Sequence, residues 1–138
     1  MRKWTSGAVA ALAVVVGISV WAAEKPSAEF QAAMKNAGGA IQSVGKATAA
    51  MDYAQVEKDA ATLSSTFQVV GKHFTMTKND AALVHCKEAF AATGELAAAA
   101  KAKDAAAIGA ATKKLGGACA ACHMSHREKG ADGGFLIK

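Results

Sequence analysis

The chain has 138 residues, enough for one domain. Its 16 Lys and Arg against 11 Asp and Glu give a formal charge of +5, with no Lys/Arg cluster of the kind that marks a nucleic-acid binder. One Pro and 13 Gly exclude a collagen-like or Pro-rich chain, and three Cys are too few for a disulfide-framed miniprotein.

The first residues read as a leader. Arg2 and Lys3 precede a run from Ala8 to Val20 that is apolar or small apart from Ser19, and Ala22 follows two positions later. This pattern predicts a secretory signal peptide over 1–22 and a mature domain over 23–138, exported to the periplasm. The alternative is an uncleaved anchor, but the run is short of the ~20 residues that span a bilayer. No later segment approaches that length, so no stable membrane insertion is expected after cleavage. Removing the leader takes away Arg2, Lys3 and both Trp, and lowers the charge from +5 to +3. Only 18 Val, Ile, Leu and Phe remain in about 116 residues, below the ~20% at which disorder is suspected. Long amphipathic patterns and a small charge argue against disorder. They favour an Ala-rich helical chain that completes its interior with a bound cofactor.

Four helices are expected, and no β signal is found. The first runs from about Ser27 to Lys46, with Phe30, Met34, Ala37, Ile41 and Val44 on one face. Gly38 and Gly39 weaken it but allow a helix or a flat ligand to come close. The second runs from Tyr53 to about Phe74, opened by Asp52 and Gln55 at capping-box spacing. The third begins near Asn79 or Asp80 and reaches about Lys101, with Leu83, Cys86, Phe90 and Ala97 inside. The fourth follows Asp104 and reaches about Lys129, with Ile108, Leu115, Cys119 and Cys122 inside. Gly130, Gly133 and Gly134 end it. Short connections between helices of ~20 residues imply an all-α, antiparallel up-down-up-down four-helix bundle.

Cys119-Ala120-Ala121-Cys122-His123 reads as a c-type haem attachment site. Two thiols three residues apart share one side of a helix, where they can form thioethers along one porphyrin edge. His123, four residues from Cys119, reaches the iron from the same side. Ala120, Ala121, Gly116 and Gly117 are small enough to leave room for the ring edge. A leader peptide agrees, because this haem is attached outside the cytoplasm. Two other readings compete: a redox dithiol, which lacks its usual βαβ context, and a zinc site of Cys119, Cys122 and His126 with Cys86 or His85.

With this motif near the C-terminus of an Ala-rich bundle and Arg127 four residues past His123, the chain resembles the class II cytochromes c. That family includes cytochrome c′ and the low-spin c-556 type. The resemblance implies one covalently attached haem c per chain, held by Cys119 and Cys122, with His123 as an iron ligand. It implies Met34, on the first helix, as the sixth ligand, a pairing suited to electron transfer. The competing reading makes Met34 a flexible core filler. Arg127 is expected to pair with a propionate or to pack beside the His123 ring, unless it is an ordinary solvated cation. Phe30 stands where many relatives carry an Arg, and His126 replaces their aromatic residue before Arg127.

Cys86 is expected as a buried small hydrophobe, with an intermolecular disulfide as the alternative. His73 and His85 are expected at the surface or at helix ends, with displacement of Met34 as a lesser possibility for either. Met51, Met76 and Met124 are read as packing, and Lys101, Lys103, Lys113 and Lys114 as solvated. The expected function is one-electron transfer between redox partner proteins, without a catalytic acid, base or nucleophile. The alternative is five-coordinate binding of nitric oxide or carbon monoxide, as cytochrome c′ members do. A homodimer through the first two helices is compatible with the resemblance.

Overall fold

A computed structural model describes residues 22–138; the leader expected over 1–22 lies outside them except for Ala22. Helices α1 (Ala28–Ala49), α2 (Tyr53–Met76), α3 (Asp80–Lys101) and α4 (Ala105–His126) run antiparallel, each packed along its neighbour in sequence. The first and last helices touch only lightly. The bundle is therefore closed on three sides and parted between α1 and α4. None of the helices described is long and apolar enough to cross a membrane.

Each helix starts on a side-chain cap. Ser27 Oγ accepts from the Phe30 N–H (3.2 Å), Asp52 Oδ1 from Gln55 (3.0 Å), Asn79 Oδ1 from Ala82 (3.1 Å) and Asp104 Oδ1 from Ala107 (2.9 Å). These bonds satisfy N–H groups that a helix start otherwise leaves unpaired. The caps lie where the sequence puts them, so the four helix starts agree with expectation to within a residue.

The interior is divided lengthwise. Val44, Val56, Leu63, Leu96, Ile108 and Leu115 are the largest fully buried side chains. All six come from the halves of their helices nearest the α1–α2 and α3–α4 turns, with Leu63 and Leu115 close to mid-helix. Alanines fill most of the remaining inner positions. Up-down-up-down topology gathers the start of α1, the end of α2, the start of α3 and the end of α4 at the opposite end. There the side chains leave a cavity.

Three sequence expectations are corrected. Phe90 is 42% exposed rather than inside. The buried face of α3 is carried by Ala82, Cys86, Ala89, Thr93 and Leu96, so alanine at 89 takes the place expected for the aromatic at 90. Met51, Met76 and Met124 are exposed instead of packed. The fourth helix ends at His126, and β structure follows it. Strand β1 (Arg127–Lys129) pairs antiparallel with β2 (Phe135–Ile137), Arg127 opposite Ile137. The turn uses Gly133 at φ 82, a left-handed conformation that glycine adopts without strain. Glu24 and Ile137 then exchange both backbone hydrogen bonds (2.8 and 2.9 Å), tying the chain start to the tail across the cavity end.

Candidate haem site

The cavity at that end measures about 640 Å³ and is walled mainly by apolar side chains. Helix α1 contributes Phe30, Met34 and Ile41; α2 contributes Phe67, Val70 and Phe74; α3 contributes His85, Cys86 and Ala89. Helix α4 contributes Cys119, Cys122, His123 and His126, and Arg127 and the tail from Gly133 to Ile137 line it as well. All five residues singled out in the sequence, Met34, Cys119, Cys122, His123 and Arg127, therefore share one cavity. Met34 and the motif residues approach it from the two helices that are parted.

The donor set fits a covalent haem. The volume lies within the about 300–1,000 Å³ usual for cofactor pockets. Cys119 and Cys122 are half-buried and form no disulfide. Burial pushes both thiols above the ordinary range, and the neighbouring Cys119 raises Cys122 further. Burial, and then the positive charge of Arg127, hold the His123 imidazole below its usual pKa. Those effects favour neutral imidazole, the form that ligates metals. His123 and Met34 are the groups that would hold the iron, and the two thiols those that would bond the porphyrin edge.

The small residues of the motif region have other positions than expected. An added Cβ at Gly116 or Gly117 would meet nothing within 4 Å, and neither glycine, nor Ala120 nor Ala121, is on the cavity wall. Gly38 is on that wall, whereas Gly39 is not. The Arg127 guanidinium carbon sits 4.0 Å from the centre of the Phe135 ring. Arg127 thus touches the tail while its charge is felt at His123.

Cys86 is 5% exposed, and its thiol donates to the Phe67 carbonyl at 3.3 Å. Burial first, then Cys122 and Cys119, push it up to about 11. This is the buried small hydrophobe expected, in a position closed to an intermolecular disulfide. His73 is a feature the sequence did not disclose. It is half-buried, with its ring 4.7 Å from that of Phe30 and its Nε2 shielded and lacking a hydrogen bond, 3.9 Å from Glu24 Oε1. It is not on the cavity wall, whereas His85 is. Among the described residues no group of three or more His, Cys, Asp or Glu side chains is disposed to hold a metal ion, so the four-ligand zinc reading of Cys119, Cys122 and His126 with Cys86 or His85 gains no support.

An all-α bundle carrying paired thiols and an imidazole on its last helix, open on an apolar cavity, is the architecture of a four-helix c-type cytochrome. Residues 76–127 match the family model described as Cytochrome C′. Over this segment the chain is similar to the class II cytochromes c, a family whose cofactor is a covalent haem c. Its members are generally haem proteins without enzymatic activity. The matched segment contains Cys119, Cys122, His123 and Arg127 and stops short of α1, so it does not include Met34. No curated protein matches the chain.

Proposed function

We propose that this protein is a periplasmic one-electron carrier for one haem c, whose iron His123 and Met34 would hold. The observation that supports it is the presence of Met34 on the same cavity as Cys119, Cys122 and His123, from the facing helix. Bound haem supplies the one-electron couple. The chain's own residues supply the rest. Cys119 and Cys122 anchor the porphyrin edge to α4. A neutral His123 offers a nitrogen lone pair, and the Met34 thioether a soft sulfur, a pair that raises the reduction potential. Phe30, Phe67, Val70 and Phe74 keep water out. Arg127 offers a charge for a propionate, and redox partner proteins meet the exposed edge of the site.

The family match itself supports a second reading, in which Met34 packs without ligating and nitric oxide or carbon monoxide binds the free iron position. The spectrum of the reduced protein tests both. A low-spin, six-coordinate spectrum unmoved by carbon monoxide, becoming responsive in Met34→Ala, is the expected result. A high-spin spectrum that shifts with the gas in the native chain would favour the second reading. A secreted product of polypeptide mass alone would defeat both.

A further inference from the structure

We propose that His85 and His126 form a two-histidine site for a divalent transition-metal ion of the zinc class, with Glu88 as its positioning residue. His85 lies on the second turn of α3, and His126 is the last residue of α4. Their ring centres are 6.0 Å apart with 52° between the planes. Two imidazoles on one tetrahedral zinc, with Zn–N bonds of about 2.0–2.1 Å, hold their centres about 5 Å apart. The observed spacing is within a side-chain rotation of that arrangement. Both rings are half-buried.

A second observation points the same way. Glu88 Oε2 lies 3.4 Å from His85 Nδ1. With Nδ1–H turned to the carboxylate, the lone pair is on Nε2, free for a metal. Metal-binding histidines characteristically donate their other N–H to a carboxylate or carbonyl, which fixes the ring and strengthens the ligand. No hydrogen bond to the His126 ring is found among the described residues, so its nitrogens are available too. Imidazole suits zinc, copper and nickel. With two protein ligands the remaining positions fall to water, and binding is reversible and open to exchange.

The site depends on the packing of α3 against α4, and its two rings lie on the wall of the cavity that the proposed function gives to haem, so the zinc titration is read apart from the haem spectrum. Titration calorimetry of the oxidised, tag-free secreted protein with zinc chloride tests it. One zinc per chain is expected, weakened at least tenfold by His85→Ala or by His126→Ala and about tenfold by Glu88→Ala. His73→Ala binds as the native chain does. Zinc raises the melting temperature of the native chain and leaves that of the double variant unchanged. Saturable binding that survives intact in the H85A/H126A double variant would overturn the proposal, as would no saturable binding by the native protein.

Discussion

Arg127 lays its guanidinium 4.0 Å from the centre of the Phe135 ring, joining the end of α4 to the strand that closes the cavity. The contact spans the hairpin: Arg127 pairs with Ile137 and Phe135 with Lys129. Cation–π contacts at exposed sites contribute about 0.5–1 kcal/mol. Phe135→Ala is therefore expected to leave the bundle folded and loosen the tail locally. Amide exchange at Glu24 and Ile137, whose backbones bond each other, should quicken by about fivefold, the factor worth about 1 kcal/mol. Unchanged exchange at those two amides would show that the strand is held without the Arg127 contact.

The thiol of Cys86 gives a pH prediction. Burial pushes it up to about 11 from its ordinary 9.0. A raised folded-state pKa favours the neutral thiol, so the stability it contributes is complete below pH 9 and is lost as the pH rises towards 11. Once Cys119 and Cys122 are thioethers they no longer titrate, and burial alone acts on Cys86. Burial still holds the thiolate fraction at pH 8 below that of an ordinary thiol, and alkylation by iodoacetamide should be slow until denaturant is added. Cys86→Ala should flatten the fall in stability between pH 9 and 11. Rapid alkylation of the native haem protein at pH 8 would contradict this.

The bundle was legible because its signals are local. Ser27, Asp52, Asn79 and Asp104 announce their helices through bonds to backbone three residues on, and the Tyr53–Phe74 stripe has one periodicity throughout. The inner face of α3 was harder to read. Its buried positions are mostly alanine, while its one aromatic residue, Phe90, points outward. The hairpin escaped because three-residue strands around a glycine turn carry almost no pattern of their own; Phe135-Leu136-Ile137 acquires meaning only against Arg127 and Glu24. Within the site, Cys119, Cys122 and His123 declared themselves by spacing. Met34 could be picked from five methionines only through the resemblance, since facing α4 is a tertiary fact. The shielded His73 and the approach of His85 to His126 are tertiary in the same sense.

Gly38 and Gly39 separate helix stability from the cofactor's space. Glycine inside a helix is less stable than alanine by about 0.5–1 kcal/mol. An added Cβ meets no protein atom within 4 Å at either position. Gly39→Ala should therefore raise the melting temperature by a few degrees and leave the haem spectrum unchanged. Gly38 lies on the cavity wall, so the methyl of Gly38→Ala enters space that the haem reading assigns to the ligand. It should displace the Soret band or weaken haem retention and lose part of the stabilisation. Equal behaviour of the two variants by melting and spectrum would place the cofactor away from this part of α1.

The three turns between helices share one strained design, and that makes them a route to greater stability. Met51, Lys78 and Lys103 sit at φ 58, 54 and 55, in the left-handed region that side chains disfavour. The next residue in each case does two jobs. The Asp52, Asn79 and Asp104 amides donate to the Ala47, Phe74 and Ala99 carbonyls at 2.8, 2.9 and 3.0 Å, ending one helix, while their side chains cap the next. A left-handed residue other than glycine costs roughly 1–2 kcal/mol, against roughly 0.5–1 kcal/mol of extra chain entropy for glycine. Lys78→Gly and Lys103→Gly should each stabilise the protein by about 0.5–1 kcal/mol in urea unfolding. The two turns lie at opposite ends of the bundle, so their effects should add. Asp104→Ala removes a cap and should cost about 1 kcal/mol. A loss of stability in Lys103→Gly would mean that the lysine side chain contributes more at that turn than its backbone strain costs.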